Sequence, residues 1–218
     1  MNIGLMLVLA PPILFALAFH EYSHGWVANK LGDPTAKHAG RLTLNPISHL
    51  DPIGTIMLFI VHFGWAKPVP VNPINLENPK KDMLWVSLAG PGSNMILALG
   101  FGLLVRLFGT PQLTVTGSSG IYELFQVMLV YGVIINLALA IFNLLPIPPL
   151  DGSKVLHAFV PDEYERQYQQ FQQYGPFVLI GLVIFGMYGN FSIFGAILMP
   201  FIRIFSQLFA GVDLSAGF

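Results

Sequence analysis

The sequence predicts an all-α polytopic membrane protein, with three spanning helices followed by one or two more toward the C-terminus. Three observations lead there. Of 218 residues, 54% are hydrophobic and 10% charged, whereas soluble domains carry about 25% charged residues. Apolar runs long enough to cross a hydrocarbon layer of about 30 Å recur along the chain. Lys and Arg gather in alternate connecting segments, the pattern that fixes topology in a bilayer.

The first span is expected from about Leu5 to Lys30, interrupted near its start by Pro11-Pro12. The stretch from Gly32 to Pro52 reads as a loop in which Arg41-Leu42-Thr43-Leu44 alternates like a strand before Asn45-Pro46 turns it. Pro52 to Trp65 is apolar but only about fourteen residues long, which suits a re-entrant or interfacial segment better than a span. Lys67-Pro68-Val69-Pro70-Val71-Asn72-Pro73 is too rich in proline for a helix and is expected to be extended.

The second span runs from about Met83 to Phe108 and the third from about Tyr122 to Leu145, joined by an uncharged Gly/Ser/Thr-rich linker over Gly109 to Gly120. A proline-rich break at Pro146 to Gly152 precedes a polar, amphipathic stretch from Ser153 to Tyr174. Two last apolar stretches, Pro176 to Tyr188 and Phe191 to Phe209, form either a hairpin turning at Gly189-Asn190 or one longer helix kinked at its glycines.

Lys30, Lys37, Arg41, Lys67, Lys80, Lys81, Lys154 and Arg166 fall on one side of such a topology, and the linkers of the other side carry no Lys or Arg. The positive-inside rule makes the basic side cytoplasmic and the N-terminus external. A net charge of −1 argues for neither nucleic acid nor acidic partners, and the absence of cysteine removes disulfides and thiolate ligands together. Any metal must be held by His, Asp or Glu. The N-terminal apolar stretch lacks a basic n-region and a small-residue cleavage site, so it reads as a retained helix.

At the end of that stretch stands His20-Glu21-Tyr22-Ser23-His24, an H-E-x-x-H run preceded by no charge from Ile3 to Phe19. Histidines four apart share one helix face, so both imidazoles can meet one Zn²⁺ with Glu21 beside the metal-bound water. Ionisable groups inside a span are costly and by default functional. A catalytic zinc takes three protein ligands, and the third helix reaches the cytoplasmic side just before Asp151. Glu123 begins that helix at the opposite face, and Glu77, Glu163 and Glu165 stand in polar context. The candidate metal ligands are therefore His20, His24 and Asp151, holding one Zn²⁺ per chain, with Glu21 as general base.

The chain further resembles the site-2 proteases, the intramembrane zinc metalloproteases of peptidase family M50. The resemblance rests on the H-E-x-x-H run, on Ala89-Gly90-Pro91-Gly92-Ser93-Asn94, and on Asn143-Leu144-Leu145-Pro146-Ile147-Pro148-Pro149-Leu150-Asp151-Gly152. Gly40 to Pro46 and Gly64 to Pro73 look like the compact prokaryotic subgroup without PDZ or CBS domains. In order and spacing it covers about Leu14 to His157. It implies a three-helix catalytic core with a re-entrant β-like segment, and the same zinc ligands and base. It also places Asn143 near the catalytic centre, where its amide holds substrate backbone or oxyanion; an interhelical hydrogen bond is the other reading of that residue.

The expected organisation is one intramembrane protease domain over residues 1–218, with a catalytic core at about 5–157 and C-terminal helices at about 175–209. Expected partners are a transmembrane protein or peptide substrate and membrane lipid, in a bacterial or archaeal cell membrane with the active site toward the cytoplasm. The family implies membrane-anchored anti-sigma factors, similar single-pass proteins or remnant signal peptides as substrates. Arg41 to Leu44 and Val69 to Val71 are the segments expected to capture an unwound substrate by edge pairing. The rival class is a membrane metal transporter or a non-catalytic zinc-binding protein. A transporter needs ligands that release metal to both faces, commonly in a repeat arrangement, and has no use for a base such as Glu21. His38, His49 and His157 read as structural, His62 as a candidate for the site's lining, and Asn94, after Gly-Pro-Gly, as a packing residue.

Overall fold

The computed structural model describes residues 3–61, 64–111, 120–188 and 193–215. The helices among them are α1 (Ile3–Lys30), α2 (Thr35–His38), α3 (Pro52–Val61), α4 (Pro79–Phe108), α5 (Ile121–Asn143), α6 (Asp151–His157), α7 (Glu165–Tyr188) and α8 (Ile193–Ala210). Three of these, α4, α5 and α8, are long and apolar enough to cross a membrane. The protein is an all-α polytopic membrane protein.

Three Asn-Pro steps punctuate the chain by one mechanism. Asn45 and Asn72 each accept a hydrogen bond from the backbone N–H two residues on, starting 3₁₀ turns at Pro46–His49 and Pro73–Asn75. Asn78 precedes Pro79, the first residue of α4; its Oδ1 accepts from Lys81 N–H while its own N–H donates to Asp82 Oδ2 at 2.9 Å. Asparagine satisfies an orphan helix-start donor, and proline lacks the N–H that the first turn would leave unpaired.

The structure departs from the sequence reading in three places. α1 runs through Pro11 and Pro12 without a break; helices in membranes tolerate proline because neighbouring groups re-satisfy the freed carbonyls. Arg41 to Leu44 does not pair as a strand. Among the described residues the extended chain pairs only at an antiparallel bridge between Leu50 and Ala66, with Lys67 N–H donating to His49 O at 2.8 Å. Pro68, Pro70 and Pro73 lack the donors that would extend it into a ladder, so the segment is β-like in conformation without being a strand. Finally, the polar stretch and the next apolar one fuse, since α7 continues from Glu165 through Pro176 to Tyr188. The proposed turn or kink at Gly189-Asn190, between Tyr188 of α7 and Ile193 of α8, lies outside the described residues. With only ten residues, α3 is about 15 Å long and too short to cross a bilayer.

The chain divides into two compact units. One combines Met1–Ala16, Asn94–Phe142 and Ile184–Phe218, with a core of Ala98, Val105, Leu129, Val133, Leu137, Ile141, Ile202 and Ala210. Asn94, fully buried, donates to Ala16 O at 3.2 Å and to Asn136 Oδ1 at 2.9 Å, fastening α4 to α1 and α5. Arg106 donates to the Leu208 and Phe209 carbonyls at the end of α8. The second unit, Leu17–Ser93 with Asn143–Val183, contains His20, Glu21, His24 and Asp151.

Candidate metal centre

His20 and His24 stand one turn apart on α1, which carries both rings on one face. Their ring centroids are 4.6 Å apart at 82°, and their Nε2 atoms approach to 3.0 Å. Asp151 opens α6 immediately after the proline-rich turn. Its Oδ2 lies 3.2 Å from His20 Nε2 and 3.1 Å from His24 Nε2. All three residues are buried, and they are the one group of three or more potential ligands found among the described residues.

The chemistry of this meeting follows from His24. Its Nδ1 lies 2.7 Å from the carbonyl oxygen of Val86 on α4. A carbonyl can only accept, so Nδ1 carries a proton, and the neutral tautomer this favours keeps the Nε2 lone pair for a cation shared with Asp151. Two imidazole nitrogens and a carboxylate oxygen, all within 3.2 Å in a buried site, are the donor set a divalent cation requires. Ligands about 2.0 Å from a tetrahedral zinc lie about 3.3 Å from one another, and the observed separations approach that spacing. The site fits zinc. A second partner on a metal-ligating histidine is the usual device for fixing ring orientation, and the Val86 carbonyl would serve His24 in that way.

Gly90, one turn beyond Val86 on α4, makes room for these rings. A Cβ at Gly90 would stand 2.3 Å from His24 Nε2 and 2.6 Å from His20 Cε1, inside any tolerable contact. Lys154 Nζ lies 3.7 Å from Asp151 Oδ1, the oxygen turned away from the histidines. Glu21, also buried, accepts the Val69 N–H on Oε2 at 2.8 Å.

Asn143 is the last residue of α5, half-buried, eight residues before Asp151. His49 is buried and donates from Nε2 to Thr43 O at 2.8 Å, and His157 pairs with Glu165 at 2.9 Å while stacking on Tyr168. Both serve structure. His38 ends the short helix α2, and His62 lies outside the described residues. What sequence reasoning missed is the backbone: the Val86 carbonyl, the Val69 amide and the missing side chain of Gly90. Only Gly90 had a signal, the Ala-Gly-Pro-Gly run.

A buried, cation-ready triad in a protein of apolar spanning helices belongs to the class of membrane metalloproteins, and comparison with known proteins narrows the class. The model of peptidase family M50 matches residues 110–186. The chain is 40% identical over 212 residues to YwhC of Bacillus subtilis (strain 168), covering 95% of this chain and 94% of that protein. It is 29% identical over 188 residues to Rip2 of Mycolicibacterium smegmatis, covering 84% and 68%. Over 141 residues it is 42% identical to MJ0611 of Methanocaldococcus jannaschii, covering 63% of each. All three are named as candidate zinc metalloproteases. No solved structure matches. The chain belongs to peptidase family M50.

Proposed function

We propose that this protein is an intramembrane zinc metalloprotease of the site-2 type, hydrolysing peptide bonds in or beside the transmembrane segments of membrane-anchored proteins. The observation that carries the reading is the convergence of His20 Nε2, His24 Nε2 and Asp151 Oδ2 within 3.2 Å. These three groups would hold zinc, which would supply Lewis acidity toward the scissile carbonyl and the attacking water. Glu21, adjacent in sequence and outside the ligand set, takes a proton from that water and returns it to the leaving amine. The Val86 carbonyl keeps His24 in the ligating tautomer. The Asn143 amide is our candidate for steadying the substrate backbone or the developing oxyanion.

Three tryptophans support a shallow position for the site in the membrane. Trp26, Trp65 and Trp85 are each about half exposed, at 45–55%, and Lys30 Nζ stands 5.6 Å over the Trp26 ring. Such residues mark membrane interfaces. With Trp26 at that level, His24 and His20 lie about 3 Å and about 9 Å further along α1 toward the hydrocarbon, on the side where the basic residues collect. Hydrolysis then takes place just inside the cytoplasmic face.

A helical substrate must unwind there, and backbone pairing can hold the freed strand. Pro68 and Pro70 have no N–H and that of Val69 is engaged by Glu21, so residues 68–70 offer carbonyl acceptors only. Within Arg41 to Leu44 the Arg41 N–H is engaged by Ala36 O, so the donors come from the residues after it. The reading is tested by comparing membrane proteomes of cells carrying wild type and Glu21→Gln. Single-pass stubs should accumulate in the variant, and identical proteomes would contradict proteolysis as the activity.

A further inference from the structure

Val69 N–H is the only amide in the run Pro68-Val69-Pro70, and it is spent on Glu21 Oε2 at 2.8 Å. The contact is built into the packing. Val69 is 8% exposed, and a Cβ on Gly25, one turn after Glu21 on α1, would stand 3.0 Å from Val69 Cγ1. The absence of a side chain at Gly25 therefore lets the extended segment lie against the helix face that carries Glu21.

Asp33 anchors that segment at its other end. Fully buried just past the C-terminus of α1, it is tied to the helix by its N–H to Ala28 O at 2.9 Å. Its Oδ2 accepts Asn72 N–H at 2.7 Å; its Oδ1 accepts Asn75 Nδ2 at 2.7 Å and Thr35 N–H at 3.1 Å. Arg41 Nη2 donates to Lys67 O at 2.8 Å and Lys67 N–H to His49 O at 2.8 Å, which fixes the near end. Between Val69 and Asn72 the chain spans about 10 Å, and the ring of Pro70 locks one φ angle. Little freedom is left for the Val69 amide once Asn72 is held.

We propose that Asp33 is a positioning residue for hydrolysis: through Asn72 and Asn75 it sets the Val69 N–H on Glu21 and so holds the carboxylate that handles the proton. With Oε2 bound in this way, Oε1 is the oxygen that meets water. The inference rests on Glu21 being the base, but its first readout does not depend on activity.

The test uses the full-length, zinc-loaded protein in detergent and reads amide hydrogen exchange at Val69, isolated between two prolines. Asp33→Ala should speed that exchange at least tenfold, as Glu21→Ala should. Turnover of a single-pass substrate should fall at least tenfold in kcat with KM within twofold, and zinc content should stay stoichiometric. Unchanged Val69 exchange, unchanged kcat or lost zinc in Asp33→Ala would each overturn the proposal. If Asp33→Ala does not accumulate as folded protein, Asp33→Asn, with one acceptor oxygen in place of two, is read in the same way. A double-mutant cycle separates positioning from general destabilisation. Val69→Pro deletes the N–H, so adding Asp33→Ala to it should lower kcat no further, whereas multiplicative losses would overturn the inference. If Glu21→Gln proves active, the base assignment itself fails; if it is inactive but Val69 exchange ignores Asp33, only this inference fails.

Discussion

His24 gives its Nδ1–H to the Val86 carbonyl at 2.7 Å, across sixty-two residues of sequence, and this bond decides which ring nitrogen faces Asp151. The bond survives only because Gly90 leaves the ring its place. Alanine for glycine inside a helix normally stabilises by about 0.5–1 kcal/mol. At position 90 the added methyl would sit 2.3 Å from His24 Nε2 and push the ring off Val86. We expect Gly90→Ala to remain folded while losing zinc affinity by about 10–100-fold, the usual cost of disturbing a ligand's second partner. Competition with a chelator measures it, and wild-type affinity in Gly90→Ala would contradict the packing described.

The three candidate ligands carry a joint prediction. His20→Ala, His24→Ala and Asp151→Ala should each reduce zinc sharply from about one per chain, because three protein ligands define such a site. Stoichiometric zinc in Asp151→Ala would remove that residue from the set.

Asn94 makes the opposite case, a buried polar residue that serves packing. Its side-chain amide joins the Ala16 carbonyl and Asn136, and interhelical hydrogen bonds in membranes contribute about 0.6 kcal/mol on average and up to about 1.7. Asn94→Ala should lower unfolding stability by that order with zinc content intact. A variant with wild-type stability and no zinc would reverse the assignment.

Asp33 links stability to pH. Burial alone would raise its pKa, but hydrogen bonds from Thr35, Asn75 and Asn72 outweigh it and hold the carboxyl below its ordinary value. A carboxylate with a depressed folded pKa contributes stability that is complete above its unfolded pKa of about 3.9 and is lost as pH falls toward the folded value. The stability difference between wild type and Asp33→Asn should therefore hold steady through neutral pH and shrink below about pH 4. Denaturant midpoints at pH 7 and pH 3.5 measure it, and an equal difference at both would contradict the hydrogen-bonded carboxylate.

The fold was legible where hydrophobicity speaks without ambiguity. The second and third spans stand out by apolar length, and the structure moves their ends by a few residues, toward the Asn78-Pro79 cap for α4. The His20–His24 pairing was legible because helical period alone puts both rings on one face, and Asp151 because topology returns it to the same depth. Where neighbours decide, the sequence misled. Gly175-Pro176 looks like a breaker, yet α7 passes through it, and a Cβ at Gly175 would lie 2.4 Å from Pro148. Four alternating residues at Arg41 to Leu44 cannot declare a strand when the facing segment is studded with prolines. The amide of Val69 and the carbonyl of Val86 have no side-chain signature, because every residue carries such groups and only the fold says which ones reach the site.

Glu21→Gln tests the central claim most directly. Glutamine keeps the shape and an oxygen for the Val69 N–H but cannot accept a proton from water, and Glu21 is outside the ligand set. The zinc content and the turnover of a single-pass membrane substrate should be measured on the same purified preparation. Wild-type zinc with turnover reduced at least a hundredfold is the result expected. Turnover within severalfold of wild type at full zinc content would contradict the assignment of Glu21 as the base.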